Sequence, residues 1–240
     1  MALQEEMEVQ GNYLFIRRGT FPIIILVIGF YVFLREQNHS FGIYEYLCLI
    51  ISLFGLYIRS YTVGHTPANT SGRNTSGQLA DELNTTGIYS IVRHPLYLGN
   101  FFMWLGPAML TMNFWFIISF LFIYWVYYER IMYAEEQFLR KKFGAIYTTW
   151  AKETPAFLPE IKKFVKPSLP FSWKKVFKKE KNGLVAVFLI FFLFYASGCY
   201  IEKEKLDNWF LIYSTAISIV LYFVLKYLKK YSKVLDEEGR

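Results

Sequence analysis

Arg93-His94-Pro95-Leu96-Tyr97-Leu98-Gly99-Asn100 opens a hydrophobic run, and further along come Glu135-Glu136 and then Phe143-Gly144-Ala145-Ile146-Tyr147. The first group brings a guanidinium and an imidazole to the start of an apolar helix; the second brings two adjacent carboxylates. Proline in a first helical turn loses no hydrogen bond and holds the residue before it extended, so a helix is predicted to begin at Pro95 with His94 just outside it. The free N–H groups and positive dipole end of that helix, joined by Arg93, form a place for an anion. Glu129 and Glu136 are seven residues apart and share a helix face, while Glu135 lies about 100° from Glu136. Gly144 reads as a C-cap, after which Tyr147, Trp150, Pro155 and Pro159 describe a chain folding back toward the membrane. Read alone, Arg-His-Pro is a cation snorkelling to phosphate, and the glutamate stretch is a solvated helix whose charges pair with Arg130 and Arg140. Read together, they point to chemistry at a membrane surface.

The elements that must position these groups are apolar blocks. Of 240 residues, 54% are hydrophobic and 20% aromatic, clustered rather than spread at amphipathic spacing. About six spans are predicted: Phe21 to Leu34, Ile43 to Tyr61, Tyr97 to Met112, Phe114 to Tyr127, Leu184 to Ile201 and Trp209 to Leu228. The runs lack the alternation of barrel strands, so the expected fold is all-α, a polytopic integral membrane helical bundle. Arg17 and Arg18 precede the first block but no small-residue cleavage pattern follows it, which reads as a retained helix rather than a signal peptide.

Positive charge sets an orientation. Eight lysines fall between Lys162 and Lys181, and Lys226, Lys229, Lys230 and Lys233 lie in the C-terminal tail. With six spans, both termini and the segments 60–96 and 128–183 share the cytoplasmic side, opposite short turns near Gln37, Asn113 and Glu202. The net charge of +7 partly reflects this rule, so no nucleic-acid partner is inferred from it; a basic face of this kind attracts anionic lipid. Cys48 and Cys199 lack metal-site spacing, His39, His65 and His94 are scattered, and no metal is expected. No Gly-x-Gly-x-x-Gly is present, which leaves a Rossmann nucleotide site unsupported. The polar stretch from Thr62 to Thr86 is long enough for a functional loop and is rich in hydrogen-bond donors. Glu45, placed in mid-span, is a functional candidate because intramembrane carboxylates usually are.

Arg-His-Pro-x-Tyr-x-Gly, Glu-Glu-x-x-Leu-x-x-x-Phe-Gly-x-x-Tyr and the closing Pro155 and Pro159 resemble the isoprenylcysteine carboxyl methyltransferase and phospholipid methyltransferase superfamily over roughly Ile43 to Pro159. The resemblance implies S-adenosylmethionine held at the cytoplasmic end of a helical bundle, with a lipid or lipidated acceptor entering from the bilayer. By resemblance His94, Tyr97 and Glu135 hold the cofactor, with Tyr89, Leu98 and Glu136 beside them, and Arg93 lies at the reaction centre. Tyr89 and Trp104 are candidate walls for the sulfonium cation. Those enzymes carry an arginine four residues before the first glutamate, where this chain has Ile131 with Arg130 one step earlier; Arg130 and Glu129 complete the expected catalytic set. Trp150 stands where a tyrosine is expected.

Arg59, His65, Arg73, Asn74 and Asn100 are the expected acceptor contacts, and their charge leans toward an anionic oxygen: a lipid phosphate such as a lipid A head group, or a prenylcysteine carboxylate. Such an acceptor needs cations rather than a base. An amine acceptor, as in phospholipid N-methylation, would need a proton removed, for which Glu129 or Glu136 is placed. A membrane sterol or enone reductase shares the Arg-His-Pro helix but carries a different pattern at Glu135-Glu136. A transporter or scaffold would more naturally place polar residues at mid-membrane depth. The expected organisation is an N-terminal helix (1–42), a methyltransferase core (43–160) and a lysine-rich linker with a helix pair (161–240). The site faces the cytoplasm, in the inner membrane of a bacterium or the endoplasmic reticulum of a eukaryote; the oligomeric state is left open.

Overall fold

The computed structural model describes residues 2–36, 39, 41–70 and 78–240. They form eight α-helices: α1 (Leu3–Ile16), α2 (Phe21–Arg35), α3 (Ile43–Gly64), α4 (Pro95–Leu110), α5 (Phe114–Phe143), α6 (Ala145–Glu153), α7 (Trp173–Glu202) and α8 (Trp209–Tyr231). A single antiparallel bridge, Gly87 to Val165, is the one piece of β pairing among the described residues. Each of the six expected apolar segments is a helix. α3, α5, α7 and α8 are long and apolar enough to cross a bilayer, and α1 and α2 together reach that measure but are bent by 73°. α2 and α4, at 15 and 16 residues, are about 22–24 Å long at 1.5 Å per residue, short of a hydrocarbon core about 30 Å thick. The chain is an all-helical integral membrane protein.

α4 sits at the centre because its glycines let α3 close on it. A methyl group on Gly55 would collide with the Gly99 carbonyl and the Met103 amide, and one on Gly99 with the Arg59 stem. Pro107 inside α4 cannot donate to the Met103 carbonyl four residues back; the Ser52 hydroxyl of α3 donates to that oxygen instead, at 3.1 Å. Backbone polarity in a span is thus satisfied by a neighbouring helix. One apolar cluster joins α2, α3 and α7 through Phe33, Leu49, Val187, Phe191 and Phe194. A second joins α1, α4 and α5 through Phe15, Tyr97, Phe120, Tyr124 and Ile131.

Three boundaries matter for the site. α5 runs on well past the expected end at Tyr127, carrying Glu135 and Glu136 with it, and stops at Gly144, whose φ of 55° suits glycine. α7 starts at Trp173 rather than Leu184, so lysines expected in a linker occupy its first turns. α3 starts at Ile43, which puts Glu45 in the first turn and not in mid-span: its carboxylate accepts from the Gly42 amide at 2.6 Å and closes the helix end. That corrects its reading as an intramembrane functional carboxylate.

Candidate active site

A cavity of about 640 Å³ opens where α1, α3, α4, α5 and α7 meet. Its polar end is organised by the start of α4. His94 is the residue before the helix and Pro95 its first, as the sequence predicts. The chain after α6 folds back and clamps this entrance: the Arg93 amide donates to the Pro155 carbonyl at 2.8 Å, the His94 amide to Ala156 at 3.2 Å, and the Glu160 amide to Ile91 at 2.9 Å.

The clamp presents Arg93 and His94 to α5. His94 Nε2 lies 3.0 Å from Glu136 Oε1, and Nδ1 lies 3.6 Å from Glu135 Oε2. Arg93 Nη1 lies 3.3 Å from Glu136 Oε2. Burial alone would lower the His94 pKa, but the hydrogen bonds and charges of Glu135 and Glu136 outweigh it and hold the imidazole above its ordinary range. An imidazole facing a carboxylate on each nitrogen is best satisfied as a cation. Tyr97 stacks on the His94 ring with centroids 5.7 Å apart. Tyr89 faces the same space; burial, and then Glu135, raise its hydroxyl pKa. Two buried polar atoms on these walls, Arg93 Nε and Trp150 Nε1, have no hydrogen-bond partner among the described residues.

Deeper in the cavity a second ionic group appears. Arg59 of α3 donates to both carboxylate oxygens of Glu180 on α7, at 2.9 and 2.7 Å, and to Asn100 Oδ1 at 2.8 Å. Asn100 in turn donates to the Tyr128 hydroxyl at 3.3 Å. Arg59 and Glu180 are both nearly inaccessible.

The structure therefore gathers Arg59, Tyr89, Arg93, His94, Tyr97, Asn100 and Glu135 around one space, with Trp104 also on its wall. Glu136 stands behind the wall, held by Arg93 and His94. Other expectations are corrected. Glu129 and Arg130 do not line the cavity: Tyr128 and Glu135 do, and residues one and two steps beyond Tyr128 are turned about 100° and 200° away. The Arg130 backbone instead receives α1 at Gly11, and Ile131 is fully buried in the core. Leu98 is packing, against Ile58 and Val92. His65 donates from Nδ1 to the Leu169 carbonyl, 2.9 Å away, and packs against Tyr61 and Phe171, outside the cavity. Arg73 and Asn74 lie outside the described residues.

Sequence reasoning missed Glu180, Lys179 and Asn182, all from α7 and all beyond the motif region. A faint signal existed: Glu180 is the lone acidic residue between Lys162 and Lys181.

Residues 43–146 match the phospholipid methyltransferase family. Over 126 residues the chain is 34% identical to protein-S-isoprenylcysteine O-methyltransferase of Schizosaccharomyces pombe, covering 52% of this chain and 53% of that one. Over 149 residues it is 26% identical to the Saccharomyces cerevisiae protein of the same name, covering 59% and 62%. A third relative, nickel-cobalt-cadmium resistance protein NccN of Alcaligenes xylosoxydans xylosoxydans, is 33% identical over 89 residues, covering 37% and 41%. The match thus spans between half and two thirds of the two yeast relatives. No solved structure matches the chain. Residues 43–146, with α3, α4 and the Glu135-Glu136 turn of α5, are therefore the part of the chain that matches the phospholipid methyltransferase family, and about half of the chain is similar to the yeast protein-S-isoprenylcysteine O-methyltransferases.

Proposed function

We propose that this protein transfers a methyl group from S-adenosylmethionine to an anionic oxygen of a lipid or lipidated acceptor at the cytoplasmic membrane face. The observation that carries the reading is the His94–Glu135–Glu136–Arg93 group set into a cavity with aromatic walls. Its volume falls within the roughly 300–1,000 Å³ of small-molecule sites. The residues present suit the cofactor. Glu135 keeps 32% of its side chain exposed and, with the faces of Tyr89, Tyr97 and Trp150, offers an anionic and π-rich surface for a sulfonium. The unpartnered Nε of Arg93 and Nε1 of Trp150 are donors for a carboxylate. When bound, S-adenosylmethionine supplies an electrophilic methyl carbon on a cationic sulfur.

The chain's own part is alignment and exclusion of water. Glu135, oriented by His94, holds the cofactor; Arg93 positions the acceptor's anionic oxygen, its charge steadied by Glu136. A carboxylate or phosphate acceptor is already ionised and needs no general base. The names of the yeast relatives favour a prenylcysteine carboxylate over a lipid phosphate. Amine methylation is the weaker reading, because Glu129 is off the cavity wall and Glu136 is engaged by two cations.

The test is incubation of the purified chain in detergent with methyl-labelled S-adenosylmethionine and a prenylcysteine substrate, with mass spectrometry of the product and calorimetry of cofactor binding. A labelled methyl ester is the expected product. No labelled lipid together with no cofactor binding would end the proposal.

A further inference from the structure

α7 lies outside residues 43–146, which match the phospholipid methyltransferase family, yet it forms one side of the cavity. Lys179, Asn182, Gly183, Ala186, Val187 and Ile190 all line it. The spacing is that of a single helical stripe, and the eleven steps from Lys179 to Ile190 at 1.5 Å each give a wall about 16 Å long. The stripe changes character along its length: an ammonium and an amide at one end, then only small and apolar side chains. Lys179 has no hydrogen bond or ion pair among the described residues. Arg59 and Arg93, in contrast, each face a carboxylate, Glu180 and Glu136. Lys229 and Lys178 add positive potential around Lys179, and the adjacent Glu180 opposes them. An unspent cation at the head of an apolar strip is complementary to one kind of molecule, an anion with a hydrocarbon tail.

Resting on the methyl-transfer reading above, we infer that α7 is the acceptor-selecting wall: Lys179 draws the acceptor's anionic head into the cavity where Arg93 positions the reacting oxygen, and the row Gly183, Ala186, Val187 and Ile190 receives its tail. Gly183 sets the width. A methyl group there would stand 3.2 Å from Leu56 and 3.3 Å from Met103, so α7 approaches α3 and α4 closely at that level and larger side chains would push it away. Asn182 adds a donor beside the head. Selection by α7 is independent of the bond-forming residues and predicts effects on acceptor binding with the cofactor untouched.

The experiment uses the full chain in detergent, with N-acetyl-S-farnesylcysteine and its carboxamide as paired probes and S-adenosylhomocysteine as the cofactor probe. Wild type is expected to bind the acid about tenfold more tightly than the amide, the scale of one charge-assisted contact. Lys179→Ala is expected to erase that preference, and Lys179→Arg to keep it. Ala186→Phe is expected to weaken acid and amide alike, while cofactor affinity stays level in all three variants. Preference for the acid surviving in Lys179→Ala, or tail binding undisturbed in Ala186→Phe, overturns the inference. Methyl transfer measured on the same samples separates the two readings. The binding pattern without any methyl ester supports the wall and tells against the proposed reaction. Ester formed by Lys179→Ala with wild-type KM tells against the wall alone.

Discussion

Two ionic groups line one cavity and are built to opposite ends. Arg59 and Glu180 meet in a two-pronged pair with both side chains under a tenth exposed, and Asn100 and Tyr128 take up what remains. Arg93, His94, Glu135 and Glu136 also pair, but incompletely: Glu135 keeps an exposed face and Arg93 keeps an unpartnered Nε. Charge that is fully matched holds helices in register, whereas charge left partly unmatched on a cavity wall is available to a ligand. The first group ties α3 to α7 across the limit of the superfamily segment; the second lies wholly within it.

The comparison breaks most visibly at Glu180. Glu180→Ala leaves the Arg59 guanidinium buried without its partner, a change that typically costs about 3–5 kcal/mol. For a chain of this size that corresponds to a fall in thermal midpoint of roughly 6–20 °C. Replacing both, Arg59→Met with Glu180→Leu, is predicted to recover most of the loss, since an apolar pair of similar volume escapes the desolvation cost. A midpoint unchanged in the single variant would show that the pair is not holding α7 in place. Glu135→Ala is predicted to behave the other way round. Its stability should fall far less than that of Glu180→Ala, since His94 keeps Glu136, while calorimetric affinity for S-adenosylhomocysteine falls about ten- to a hundredfold, the scale of a lost charged contact. Equal affinity in wild type and variant would remove Glu135 from the cofactor site.

The second group also predicts a pH dependence. With its pKa raised above the ordinary value of 6.5, protonated His94 favours the folded state. That contribution is fully present below about pH 6.5 and is lost as the pH rises through the higher value in the folded protein. The stability gap between wild type and His94→Asn should therefore narrow with rising pH. A gap that widens would mean the imidazole is neutral between its two carboxylates.

What could be read from the sequence follows from how local each signal is. Pro95 after His94, and Gly144 after the charged end of α5, fix helix ends within a few residues, and both stand where the sequence puts them. The apolar blocks were equally legible, because membrane-spanning length is a property of a run and not of a fold. The Arg59–Glu180 pair was not: it joins residues 121 apart in the chain, and a glutamate among lysines has no local mark that says which cation it will meet. Glu129 and Arg130 failed for a related reason. Glu129 does share a face with Glu136, seven residues on, but which face of α5 turns inward depends on α1, whose Gly11 settles against the Arg130 carbonyl.

A third carboxylate gives the comparison its smallest and sharpest test. Glu45 is nearly as buried as Glu180, yet its hydrogen bond is to the Gly42 amide in its own helix turn, where it closes the start of α3. Capping interactions of this kind contribute about 1 kcal/mol, so Glu45→Ala should lower the thermal midpoint only slightly. It should leave cofactor affinity and methyl transfer at wild-type levels, because it is not on the wall of the proposed active-site cavity. If burial alone decided which carboxylates matter, Glu45→Ala would match Glu180→Ala in stability; if intramembrane position did, it would match Glu135→Ala in affinity. A small, purely structural loss is the outcome in which the partner of a buried carboxylate, and not its depth, sets its role.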